Sequence, residues 1–428
     1  MQARWKQLKS QLGRIRTQQE GVRSAEVLVR WLLVAGLTGG LCGLVGAAFY
    51  HVIAWVTAGR THHPAVLLAM PLAGVFIVWS YKTLGMENDS GTNQIISSVR
   101  SGEKPPLRLT PLIFVSTALT HLTGGSAGRE GAALQIGGSL AASVGRMLHL
   151  DGRSMNLIVM CGMSAVFTAL FGTPLTATVF GMEVVSVGIF HYSALFPSLF
   201  ASLVAQGVTH LLGVQPEGFA LLGVPALGVD GLVRVGILAT LCALLSMAFC
   251  ALMHHSGRWY RKWFPNPYLR VTVGAALVLA LTALEGSGDY NGAGSGVLEH
   301  ALQGYVSVPW AFLLKMVFTA LTLGAGFRGG EIVPTFFVGA TFGCAVAPLL
   351  GLDPAFGAAI GLVSLFCGVV NCPLSSIFLS VELFGGGLLY FALSCSLSFL
   401  LSGKFSLYSA QKLVYSKLEP RYIDAFTK

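Results

Sequence analysis

The sequence predicts an all-α integral membrane protein made of two related halves with interrupted helices. Three observations carry this. Of the 428 residues, 54% are hydrophobic and 11% charged, and the mean hydropathy is +0.70. A soluble domain carries about 25% charged residues, so there is too little charge to coat a surface in water, and lipid is the solvent for most of the chain. Apolar runs recur along the chain, and Gly- or Pro-interrupted segments fall at matching positions in its two halves.

The first element is a basic segment, 1–24, with Arg4, Lys6, Lys9, Arg14, Arg16 and Arg23 against Glu20. It is polar for too long to be the n-region of a cleavable signal. Apolar runs follow at 27–56 (one charge, Arg30), 65–80, 235–253, 271–284 and 306–327 (one charge, Lys315). A spanning helix needs roughly 20 apolar residues. Some runs reach that and others fall short, as half-spanning or broken helices would. Arg258, Arg261 and Lys262 between apolar runs read as a cytoplasmic loop. The tail after Ser402 carries Lys404, Lys412, Lys417, Arg421 and Lys428 against Glu419 and Asp424. The positive-inside rule then places both ends in the cytoplasm of a multi-pass protein of the inner (plasma) membrane, with an even number of crossings. Orientation and contact with anionic membrane lipid account for the net charge of +9, and nucleic acid is a poor alternative. The eight cysteines are scattered through apolar segments with no metal spacing and read as packing residues. No cofactor is expected.

The chain repeats at a shift of 199 residues. Gly125, Arg129 and Gly131 fall on Gly324, Arg328 and Gly330. Gly162, Phe167, Pro174, Leu175 and Glu183 fall on Gly361, Phe366, Pro373, Leu374 and Glu382. A shift of 203 pairs Asn88 and Gly91 with Asn291 and Gly294. Internal repeats with matching helix breaks point to a transport site near the bilayer midplane. The expected organisation is a membrane domain over 25–410, with a first repeat at about 28–213, a second at about 231–402, and a short cytoplasmic tail at 411–428 with no regulatory domain.

Three breaks and a tyrosine carry the chemistry. At Asp89-Ser90-Gly91-Thr92-Asn93, polar residues beside glycine suit a helix start, and helix N-termini bind anions through unpaired N–H groups; an ordinary capped loop is the alternative. At Gly128-Arg129-Glu130-Gly131, flanked by apolar segments, two ionisable residues sit at membrane depth, which is costly and suggests function. Arg129 and Glu130 form a structural ion pair, or Glu130 occupies the anion position itself and leaves when protonated, which couples proton to anion movement. At Gly330-Glu331-Ile332-Val333-Pro334, glycines let backbone N–H groups approach an ion and Pro334 suits a helix start. A fixed carboxylate there would repel an anion, so Glu331 is neutral, paired with Arg328, or used in the transport cycle; a first-turn residue favoured by the helix dipole is the bland alternative. Tyr408 follows the apolar run 391–401 and is either an interfacial anchor or an inward-facing donor.

Over about residues 30–410 this pattern resembles the CLC family of chloride channels and anion/proton antiporters: G-R-E-G at 128–131, G-x-x-x-P at 330–334, the Gly91 break and Tyr408, in family order. The resemblance implies two inverted helical halves and a homodimer with one pathway per subunit. It implies that Glu130 is the external gating glutamate, that Ser90 and Tyr408 are side-chain anion ligands, and that Ile332 and Val333 supply backbone donors. Asn93, Gly128, Arg129, Gly131 and Gly330 complete the expected anion site. The chain departs from the family where Asn93 replaces a proline, Ala132 follows G-R-E-G, and Val184 stands where the inner proton-transfer glutamate is expected. These departures and the Gly-Gly-Glu break are similar to the fluoride-exporting branch, although that branch often has Thr where this chain has Val333.

The expected function is a fluoride/proton antiporter, with Glu331 as a second coupling acid. Fluoride is small and tightly hydrated, so several converging N–H and O–H donors must replace its water. HF is a weak acid, so a proton and fluoride can share one site. The alternative on the same fold is a chloride/proton antiporter or a passive chloride channel. A membrane enzyme is disfavoured, because His121, His191, His210 and the other histidines form no H-E-x-x-H or nucleophile–base pattern.

Overall fold

The computed structural model describes residues 2–305 and 308–428, with side chains from residue 25 onward. The expectation about the basic side chains of 1–24 and the start of the 306–327 run lie outside the described residues. In the first half the α-helices are α1 (Gln2–His62), α2 (Met70–Thr83), α3 (Thr92–Ser101), α4 (Leu109–Leu122), α5 (Glu130–Met147), α6 (Gly152–Phe171), α7 (Pro174–Glu183) and α8 (Leu195–Leu211). In the second they are α9 (Val229–Trp263), α10 (Pro267–Glu285), α11 (Ser295–Leu302), α12 (Ala311–Ala325), α13 (Ile332–Val346), α14 (Pro354–Val370), α15 (Pro373–Phe384) and α16 (Leu388–Leu401). Seven helical segments among the described residues are long and apolar enough to span a bilayer, and several others are short and apolar. The expected mixture of full and partial spans is present.

Local sequence sets the helix ends. Proline occupies the first turn of α7, α10, α14 and α15, where its missing N–H costs nothing. Asn266 caps α10 by accepting from Tyr268 N at 2.9 Å, and Asp353 caps α14 by accepting from Ala355 N at 2.8 Å. In the core, α5 crosses α6 at Gly137 and Gly162, and α13 crosses α14 at Gly339 and Gly361. A Cβ at any of the four would overlap the facing backbone, so small residues permit these close crossings.

The two halves are inverted and meet through equivalent elements. Glu183, at the end of α7, accepts from Leu374 N (3.2 Å), Ser375 N (2.9 Å) and Ser375 Oγ (2.6 Å) at the start of α15. Glu382, near the end of α15, accepts from Leu175 N (2.9 Å) and Thr176 N (2.8 Å) at the start of α7. Each glutamate satisfies orphan N–H groups of the other repeat's helix. The repeat is not uniform, however. The 199-residue shift holds for α7 and α15, whereas α5 and α13 start 202 residues apart. The difference arises because α6 has 20 residues and α14 has 17. The structural partner of Arg129 is therefore Glu331, and that of Gly128 is Gly330.

Beside the helices the described residues form a small sheet in the order β1-β2-β3, made of β1 (Ser186–Val187), β2 (Lys412–Tyr415) and β3 (Tyr422–Phe426). β1 pairs parallel with β2, and β2 antiparallel with β3. The expected tail is thus folded back against the end of α7.

Candidate anion pathway

The three breaks converge. Gly128 and Gly330 exchange two backbone hydrogen bonds of 2.7 Å as an antiparallel bridge, which sets the N-termini of α5 and α13 against each other. A Cβ built on Gly131 would lie 2.9 Å from Gly330 Cα, 3.2 Å from Thr92 Oγ1 and 3.5 Å from Glu331 Oε2. Glycine is required at this junction, and it gathers the starts of α3, α5 and α13. Gly91, with φ at +66°, is the N-cap of α3, a conformation that favours glycine.

Glu130 is fully buried at the junction. Its Oε2 accepts from Arg129 N at 3.0 Å and from Val333 N at 3.3 Å, across the boundary between the halves. The carboxylate fills a place built from amide donors, as an anion would. Its Oε1 has no hydrogen-bond partner and lies 3.7 Å from Arg129 Nε. The main partner of Arg129 is instead Glu217, and its guanidinium lies 5.0 Å over the Tyr50 ring. Burial pushes the Glu217 carboxyl above the usual range, against the pull of Arg129. Sequence reasoning missed Glu217, which sits in a loop with no motif around it.

The third break also differs from one sequence expectation. Arg328 does not pair with Glu331. Its Nη1 donates to Asp89 Oδ2 at 2.9 Å, and its guanidinium lies 4.1 Å over the Tyr81 ring. Arg328 thus ties the first break to the third. Among the described residues no cation pairs with Glu331, whose carboxyl faces a cavity. Ile332 and Val333 open α13.

Two cavities reach this junction. One, of about 430 Å³, is lined by Arg129, His121, Glu217, Val333 and Phe336. The other, of about 520 Å³, is lined by Ser90, Asn93, Gln135, Glu331 and Tyr408, with Arg261, Arg270 and Arg328 in its wall. Glu130 lines neither, but its donors Arg129 and Val333 line the first, and Glu331, at the same junction, lines the second. Tyr408 is 1% exposed and its Oη has no hydrogen-bond partner, so it is an inward-facing residue and not an interfacial anchor. Asn93 lies at the same cavity, but its Oδ1 is occupied by Ala410 N at 2.8 Å. His121, weighed above for enzymatic chemistry, is buried with Nε2 3.3 Å from Gly128 O.

Lys315 also went unrecognised as a brace. It is completely buried and donates to Tyr290 O at 3.1 Å and Gly292 O at 2.7 Å. Gly292 in turn bonds Gly125 and Ala127 just ahead of the second break. The lone charge in an apolar run was the available signal.

Comparison with known proteins agrees with this arrangement. The voltage gated chloride channel family matches residues 73–403. A chloride/fluoride channel protein of Pseudomonas syringae pv. tomato is 36% identical over 401 residues, covering 91% of this chain and 88% of that protein. The H+/Cl− exchange transporter ClcA of Cronobacter sakazakii is 27% identical, covering 82% of this chain and 81% of that one. A crystal structure of a CLC-type fluoride/proton antiporter superposes with a TM-score of 0.87 at 32% identity, covering 90% of this chain and 98% of that chain. Inverted halves, opposed helix N-termini and these relatives together establish that the chain belongs to the CLC family of voltage gated chloride channels, as a multi-pass membrane protein.

Proposed function

We propose that this CLC protein is a fluoride/proton antiporter that exports cytoplasmic fluoride on the inward proton gradient. The observation that carries the reading is Glu130, held by the amides of both halves where two cavities meet their junction, with Glu331, which has no cation partner among the described residues, on the Tyr408 side. Protonation of Glu130 removes the charge its amide donors hold. The neutral side chain leaves and fluoride takes the Val333 N–H, with Ile332 N, Ser90 Oγ and Tyr408 Oη as further donors along the path. Glu331, when protonated, donates to fluoride; when ionised, it repels it. The names of the Pseudomonas relative and of the structural neighbour support fluoride as the anion.

A chloride/proton antiporter is the second reading, favoured by the name of the Cronobacter relative. Against it stand Val184, in place of the expected inner acid, and Glu331 beside the path, which a chloride site gains little from. We place the protein in the inner membrane with both termini cytoplasmic, and the Tyr408 cavity on the cytoplasmic side. We read it as a homodimer with one pathway per subunit. Proteoliposomes loaded with fluoride or chloride test the proposal. Fluoride efflux should be accompanied by proton uptake and exceed chloride efflux. Equal rates for the two anions refute the selectivity, and fluoride efflux without proton uptake refutes the coupling.

A further inference from the structure

The 404–428 segment carries Leu407, Tyr408 and Ser409, which line the cavity that Glu331 also lines. Tyr408 O accepts from Gln411 N at 2.9 Å and from Thr427 Oγ1 at 2.7 Å. Thr427 Oγ1 lies 3.2 Å from Gln411 O, so its single proton goes to the nearer Tyr408 carbonyl. The backbone of the segment is closed on itself: Thr427 N donates to Gln411 O at 3.1 Å, Ser406 N to Lys428 O at 3.1 Å, and Lys428 N to Lys404 O at 2.8 Å.

Gln411 anchors this turn to both halves of the protein. It is fully buried, and its Nε2 donates to Val184 O at 3.1 Å, at the end of α7, and to Val370 O at 2.8 Å, at the end of α14. Its Oε1 accepts from Asn371 Nδ2 at 3.1 Å and Ser406 Oγ at 3.0 Å. Both amide protons and both lone pairs are therefore used. Ala410 N, one residue away, reaches Asn93 Oδ1 in the first break. Nothing comparable holds the phenol itself, because Tyr408 Oη has no partner. Its distance from an ion in the cavity is set by the backbone of the turn and by packing.

We propose that Thr427 and Gln411 are positioning residues for Tyr408, and that the 412–426 hairpin fixes the phenol at the distance that favours a small anion. The inference rests on the reading of Tyr408 as an anion donor. An O–H donor works best over a range of about 2.5–3.0 Å, so a tyrosine free to draw back loses the smaller ion first. Loosening the turn therefore shifts preference from fluoride towards chloride.

The test is the ratio of fluoride to chloride efflux from proteoliposomes holding the full chain, measured alongside its thermal unfolding midpoint. Thr427→Val should lower the ratio by about threefold to tenfold, the factor one hydrogen bond accounts for. Thr427→Ser should restore it, and Thr427→Val should have no further effect in a Tyr408→Phe background. If Thr427→Val does not fold, Thr427→Ala carries the same expectation. An unchanged ratio, or equal slowing of both anions with a lowered midpoint, overturns the positioning role. So does a loss of the same size with Tyr408→Phe already present. A wild-type ratio in Tyr408→Phe alone instead overturns the reading of Tyr408 beneath it.

Discussion

Two carboxyls at structurally equivalent helix starts are treated differently in this protein. Glu130 is enclosed and bound by amide donors, whereas Glu331 is the N-cap residue of α13 and presents its carboxyl to a cavity with no cation partner among the described residues. A carboxyl without a cation partner contributes little to folding, and under the proposed function its place beside the cavity lets it act on the ion. Glu331→Gln removes the titrating proton and keeps the shape. Its unfolding free energy should stay within about 1 kcal/mol of wild type, while protons taken up per fluoride released fall towards zero, as read by fluoride-electrode and pH recordings of the same vesicles. Cotransported protons at the wild-type ratio would rule out the coupling role. The motif around Glu331 was legible in the sequence. Its lack of a cation partner was not, since Arg328 lies three residues away and yet reaches Asp89, which is distant in the chain.

Helix ends, more than helix bodies, connect the elements. The reciprocal caps made by Glu183 and Glu382 join α7 to α15 through four hydrogen bonds from orphan N–H groups and one from the Ser375 hydroxyl. Removing a cap costs about 0.5–2 kcal/mol, and hydrogen bonds to a charged group about 1.5–3 kcal/mol. Glu183→Ala should therefore lower stability by roughly 2 kcal/mol, seen as a lower thermal midpoint in detergent, with the proton-to-fluoride ratio of the surviving protein unchanged. An altered ratio would mean that Glu183 takes part in proton movement. Both glutamates were visible as a repeated Pro-to-Glu spacing. That each caps the other half's helix required the inversion of the two repeats.

For the whole molecule, the proposed pathway consists of two cavities with the Glu130 side chain at their junction. Glu130→Ala deletes that barrier and leaves the Val333 amide free. Fluoride should then pass in both directions at a rate independent of the proton gradient, which a vesicle efflux assay at matched and unmatched pH reads directly. Persistent dependence on the gradient would show that the barrier lies elsewhere. The same scale explains why the folding-back of the tail was not legible in the sequence. Residues 411–428 have no apolar run or motif, and their role comes from long-range bonds to Val184, Val370 and Tyr408.

The sequence by itself determined the solvent, the helical class, the internal repeat and the residues at the three breaks, because composition, run length and Gly/Pro punctuation act locally along the chain. Only the tertiary structure decided which groups pair: Arg129 with Glu217, Arg328 with Asp89, Glu130 with Val333, and Tyr408 with Thr427. None of these pairings joins chain neighbours, and hydrogen bonds and ion pairs depend on distances of a few ångströms that only the packed fold sets.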